Sequence, residues 1–138
     1  MFKKILVGVD GSESSKRAVE EAILLAKCGK SKVIFAAVDF QQMDSLEGWL
    51  YWKIEKAISL SLAASQKKAK AAKVSAEALV LEGIPADELL KLAKKQKADL
   101  IVVGNWGGSG KASFAKDAAG DIKRRLADQA LCSVLIVR

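Results

Sequence analysis

Short apolar runs rich in branched residues alternate along the chain with longer stretches whose apolar positions recur at helical spacing. Lys4 to Val9 is such a run, too short for a helix and apolar enough to be buried on both faces, so it predicts a strand. Gly11 and Ser12 break it, and the hydroxyls of Ser12 and Ser14 suit a helix N-terminus, where they accept otherwise unpaired amide hydrogens. That helix runs to about Lys27, with Ala18, Val19, Ala22, Ile23 and Ala26 on one face, and Gly29 ends it. Val33 to Val38 predicts a second strand. Asp44 to Lys73 reads as helix with an irregular start; as one helix it would span roughly 45 Å, too long for a domain of this size. A loop near Gly48 is expected instead, then a helix from Trp49 with Ile54, Ile58 and Leu62 as its core stripe.

Ala76 to Leu81 predicts the third strand. Pro85 suits the first position of the next helix, because its missing N–H would be unpaired there. Asp87 and Glu88 complement that helix's N-terminus, and Lys94, Lys95 and Lys97 its C-terminus. Leu100 to Val103 is the fourth strand, followed by a glycine-rich loop from Gly104 to about Ala119. A last helix is expected over Asp121 to Gln129 and a fifth strand over Val134 to Val137. The order βαβαβαβαβ implies one α/β domain over residues 1–138. It is a doubly wound, mostly parallel five-stranded sheet with helices on both faces, Rossmann-like in topology. In such sheets ligands bind at the carboxyl ends of the strands, where the strand order reverses.

Composition narrows the chemistry. The 138 residues are 51% apolar, which is ample for a core. No apolar stretch reaches the roughly 18 residues of a membrane helix, and no signal-peptide pattern is present, so a cytoplasmic protein is expected. Histidine is absent, which removes the usual base of a nucleophilic triad and the commonest zinc ligand. Cys28 and Cys132 form no CxxC pair and are expected as reduced thiols. The net charge of +7 includes lysine clusters at Lys67, Lys68, Lys70 and Lys73 and at Lys91, Lys94, Lys95 and Lys97. No nucleic-acid recognition motif accompanies them, so they are assigned to solvated helix faces.

Two loops lie at carboxyl ends of strands. In Val9-Asp10-Gly11-Ser12, the Asp10 carboxylate either accepts hydrogen bonds from a ribose or a base, or caps a turn. In Gly104-Asn-Trp-Gly-Gly-Ser-Gly-Lys111, the glycines let backbone amides approach phosphate oxygens. It is no Walker A loop, since Ala112 follows Gly110-Lys111. Trp106 either lies over a ligand or, as single loop aromatics usually do, packs its own loop onto the sheet. Trp49, Tyr51 and Trp52 are too many for one helix face to bury, and either cover the cleft, form a contact surface or make a satellite core.

Four segments together resemble the universal stress protein family along the whole chain. They are Lys4 to Ser12, Gly83-Ile-Pro-Ala86, Ala98 to Gly104 and Leu131 to Arg138. The resemblance implies an adenine nucleotide alpha hydrolase-like fold and a nucleotide whose base and ribose lie near Asp10, Gly11 and Val38. Its phosphates would lie on a pattern of Gly, two residues, Gly, nine residues, Gly, then Ser or Thr. Gly107, Gly110 and Gly120 fit that spacing, with Gly104 and Lys111 alongside. Asp121 stands where the pattern has a hydroxyl, and its carboxylate would repel a terminal phosphate. The ligand implied is ATP or AMP, with magnesium accompanying ATP. A general base is not evident, so a regulator is expected and at most slow ATP hydrolysis. A homodimer paired through Val134 to Val137 and a protein partner are also implied. The alternative is a nucleotide-free interaction module of the same fold, with Asp121 capping its helix. An adenylylating enzyme of related fold is disfavoured by the absence of histidine.

Overall fold

The computed structural model describes residues 2–39, 48–105 and 116–138. In chain order the elements are β1 (Lys4–Gly8), α1 (Glu13–Gly29), β2 (Lys32–Asp39), α2 (Gly48–Ala71), β3 (Ala76–Glu82), α3 (Pro85–Gln96), β4 (Leu100–Gly104), α4 (Lys116–Gln129) and β5 (Ser133–Val137). The strands form one sheet in the order β3-β2-β1-β4-β5, with every neighbouring pair parallel. The chain winds outward from β1 to β3, crosses back, and winds out again through β4 and β5. The reversal therefore falls between β1 and β4, which pair from Ile5–Leu100 to Val7–Val102.

Central β1 is apolar on both faces because both faces are covered. Ile5, Val7 and Val9 join Ala18, Val19, Ala22 and Ala26 of α1 in one core. Leu6 joins Leu89 and Leu92 of α3 and Ile122 and Leu126 of α4 in the other. Ile5, Leu6 and Val7 are each 0% exposed. On α2 the stripe continues past Ile58 and Leu62 to buried Ser65 and Ala69, a spacing that keeps one helix face on the sheet. The side chain of Ile54 lies outside the described residues.

Asp99 fastens the start of β1 to the start of β4. Its carboxylate accepts from the Lys3 N–H at 2.8 Å and the Lys4 N–H at 3.0 Å, and its own N–H donates to the Lys4 carbonyl at 3.0 Å. Burial pushes this carboxyl up, but the backbone hydrogen bonds outweigh it and hold it below its ordinary value of 3.8. A depressed folded value means stability present above the unfolded value and lost as pH falls through the folded one. Asp99→Asn is therefore expected to lower stability at neutral pH and to flatten the decline below about pH 4. Urea unfolding at neutral and acid pH reads this, and parallel pH profiles of the two proteins would contradict it.

Helix ends depart from expectation in two places. Gly29 is the last residue of α1, and the left-handed cap is Lys30 at φ 55°; Lys97 caps α3 in the same way at φ 55°. The cap amides repay the strain by bonding back to the helix, Lys30 to the Ala26 carbonyl and Lys97 to the Ala93 and Lys94 carbonyls. The second departure is α4, expected from Asp121, which begins at Lys116. Lys116-Asp-Ala-Ala119 are compatible with helix, and Gly120 inside one costs only about 1 kcal/mol relative to alanine.

Candidate functional site

At the switch point the first turn of α1 meets the ends of β1 and β4. Ser12 is the N-cap: its backbone is extended, and its Oγ accepts from the Ser15 N–H at 3.2 Å. Asp10 completes the turn. Its Oδ1 accepts from the Ser12 N–H at 2.9 Å and from the Ser12 Oγ at 2.7 Å, while its N–H donates to the Ser15 Oγ at 3.1 Å. Among the described residues nothing donates to Oδ2. Both roles read for Asp10 are thus compatible, since one oxygen holds the turn and the other is free to accept. Gly11 sits at φ 83°, a conformation that favours glycine, and a Cβ there would lie 2.9 Å from the Ser61 Oγ of α2.

Gly104 ends β4 directly against α1. A Cβ on it would lie 2.5 Å from the Ser14 carbonyl carbon and 2.6 Å from the Ser15 nitrogen. The following residue, Asn105, is held from three sides. Its N–H donates to the Val137 carbonyl at 2.6 Å, its carbonyl accepts from the Ser14 Oγ at 3.1 Å, and its Oδ1 accepts from the Lys123 ammonium of α4. Val38 stands at the same level one strand over: Gly8 pairs with Ala36, so Asp10 and Val38 each lie two residues further on. Val38 is half-buried and packs on the α3–α4 side of the sheet.

Asp10, Gly11, Gly104 and Val38 therefore gather at the carboxyl ends of the central strands. A cleft of about 70 Å³ opens beside them, lined by Val9, Gly11, Ser15, Lys16, Ser61 and Lys68 among others. A larger cavity, about 460 Å³, lies at the other end of the sheet and touches none of these residues. Gly107, Gly110, Lys111, Trp106 and Ser109 lie outside the described residues. Gly120 and Asp121 fall within α4, not at its N-terminus, because that helix starts at Lys116. The expectation that Asp121 caps the helix is corrected on this ground. Trp52 is 58% exposed, with the Lys56 ammonium 4.8 Å from its ring centroid, so it belongs to no satellite core.

The family model for the universal stress protein family matches residues 1–138. The chain belongs to the universal stress protein family. A universal stress protein of Bacillus subtilis is 32% identical over the full length of both chains. One from Methanocaldococcus jannaschii is 31% identical, covering 100% of this chain and 83% of the relative. A universal stress protein solved in complex with cAMP superposes with a TM-score of 0.76 at 32% identity, covering 99% of this chain and 97% of the other.

Within this universal stress protein fold, sequence reasoning missed Ser15, Asn105 and Lys123. Asn105 meets Ser14 across 91 positions of chain and Lys123 across 18, so no local pattern announces either contact. Ser15 carried a signal: it is a second hydroxyl within the first turn, beside the expected cap. Among the described residues no helix is long and apolar enough to cross a membrane.

Proposed function

We propose that this universal stress protein binds an adenine nucleotide at the carboxyl ends of β1 and β4 and acts as a cytoplasmic regulator through a protein partner. The observation that carries this is the convergence of Asp10 and Gly104 on the capped first turn of α1, at the switch point where such sheets bind ligands. The 32%-identical universal stress protein solved with cAMP supports the ligand class. Asp10 takes the ribose, and Gly11 and Val38 border the base. The phosphates lie toward the backbone amides of the loop that follows Gly104, with Gly107, Gly110 and Lys111 as its contributors. Gly120 offers no Cβ to obstruct them. Lys123 adds a positive charge at the root of that loop, where it holds Asn105. Among the described residues no three His, Cys, Asp or Glu side chains gather into a metal site. Magnesium in this account accompanies the phosphates of ATP. In this account the role of the domain is to hold the nucleotide.

Titration with AMP, cAMP and ATP, with and without magnesium, tests the proposal through tryptophan fluorescence. Saturable binding by any of them supports it, and no binding by any of them favours the nucleotide-free interaction module. Asp121 sets the preference among them. Asp121→Ser is expected to tighten ATP binding about tenfold, on the order of 1.4 kcal/mol of relieved repulsion, and to leave AMP unchanged. Equal affinities of the two proteins for ATP would remove Asp121 from the phosphate end.

The same proposal makes the molecule a homodimer through β5. Among the described residues this strand pairs only with β4, and its Leu135 and Ile136 are 36% and 39% exposed. An apolar edge strand of this kind invites a second chain. Replacing Leu135 and Ile136 together by lysine is expected to yield a folded monomer by light scattering. A dimer that persists in that variant would place the interface elsewhere.

A further inference from the structure

The end of the sheet remote from the switch point carries a groove that nucleotide binding does not use. It lies where α3 leads into β4 and α4 leads into β5, and holds about 460 Å³. Leu90, Ala93, Ala98, Ala130, Leu131 and Cys132 supply its apolar lining, Lys91, Lys94 and Lys97 its charge, and Gln129 its amide. Among the described residues no carboxylate lines it. The nearby Asp99 carboxylate is engaged by the amides of Lys3 and Lys4. Leu131 is 89% exposed beside this apolar floor, the most exposed of the chain's large described hydrophobic residues.

We propose that this groove docks an acidic peptide segment of a protein partner, anchored by an apolar side chain against Leu131 and Leu90. Charge complementarity selects that occupant. Lys91 already pairs with Glu88 at 3.5 Å, so Lys94 and Lys97 carry the complementarity, reaching out on flexible stems suited to carboxylates set back on either side of an apolar anchor. The backbone around the groove belongs to the C-terminal ends of α3 and α4, each of which carries the equivalent of roughly half a negative charge spread over its last carbonyls. That disfavours a phosphate deep in the groove and so disfavours a nucleic acid, while the distal ammonium groups remain available. A second copy apposed groove to groove would set Lys91, Lys94 and Lys97 against their counterparts. A flat membrane surface does not fill a concavity of this kind.

The test is fluorescence anisotropy of the full-length protein with a fluorescein-labelled peptide composed of leucine and glutamate. Binding in the micromolar range, weakening as salt rises, is expected. Leu131→Asp, at a site too exposed to matter for folding, is expected to weaken it about tenfold or more. Lys94→Gln with Lys97→Gln is expected to weaken it and to flatten its salt dependence, whereas Lys27→Gln on α1 leaves it unchanged. Location is read separately. With Cys28 replaced by serine, bound peptide is expected to slow alkylation of Cys132, which lines the groove. Equal affinity of wild type and Leu131→Asp would overturn the proposal. So would equal binding of a glutamate-only peptide, unchanged alkylation of Cys132, or binding of phosphatidylserine vesicles or duplex DNA in place of the peptide.

Discussion

Gly104→Ala is expected to lower the melting temperature by about 10 °C and to weaken nucleotide binding with it. The added Cβ would lie 2.5 Å from the Ser14 carbonyl carbon, 2.6 Å from the Ser15 nitrogen and 2.7 Å from the Ser14 Oγ. Two of these are backbone atoms in the first turn of a capped helix, so no side-chain rotation relieves the clash. Overpacking of this kind costs about 3 kcal/mol, and for a chain of this size each kcal/mol moves the midpoint by roughly 3–4 °C. Relief requires α1 to back away from β4. That movement would disturb the Asp10 N–H bond to the Ser15 Oγ and the Ser14 bond to Asn105, so both walls of the site shift together. Thermal unfolding followed by circular dichroism checks this. A variant melting within about 2 °C of wild type would mean that the β4–α1 contact is far looser than the geometry describes.

Asp10→Ala is expected to separate binding from stability. The substitution removes the acceptor of the Ser12 N–H and Oγ bonds, at 2.9 and 2.7 Å. The Ser12 Oγ still holds the Ser15 N–H, so α1 keeps its cap and the loss of stability stays near 1 kcal/mol. A nucleotide loses more, because a charged acceptor on a ribose hydroxyl contributes about 1.5–3 kcal/mol. Affinity for AMP should therefore fall roughly 10- to 100-fold. Asp10→Asn refines the test: its side-chain oxygen can rebuild the turn and recover stability, yet the affinity stays below wild type because the charge is gone. Wild-type affinity in Asp10→Ala would remove Asp10 from the ligand and leave it as a turn residue alone.

The parts of this fold that were legible in the sequence are those written in local chemistry. The all-apolar run from Ile5 to Val7 announced a strand covered on both faces, and the structure buries it completely. Ser12 announced a helix cap by its position before an amphipathic stretch, and it is the N-cap of α1. Pro85 announced the start of α3 because only a first-turn residue can spare its N–H, and α3 begins there. Apolar strands separated by helices announced a mostly parallel, doubly wound sheet, and the structure sets its switch point between β1 and β4.

What escaped was non-local or ran against propensity. The glycine spacing predicts a loop as far as Ala119 and a helix from Asp121, whereas the helix already begins at Lys116. Lys30 and Lys97 hold left-handed caps where glycine is the usual choice, and their strain is offset by amide bonds that only the folded helix provides. Asn105 joins α1, β5 and α4 through contacts distant in sequence. No local pattern marks the exposed leucine at position 131 as part of a groove; only the fold sets it beside Leu90 and three lysines.

The most direct test of the central claim is to denature freshly purified protein and separate whatever it releases by chromatography with mass detection. An adenine nucleotide in near-equimolar amount, absent from Gly104→Ala and diminished in Asp10→Ala, is the predicted result. Protein that releases no nucleotide and binds none when AMP, cAMP or ATP is added back would contradict the account, and would leave the switch point of this sheet as a surface for protein partners alone.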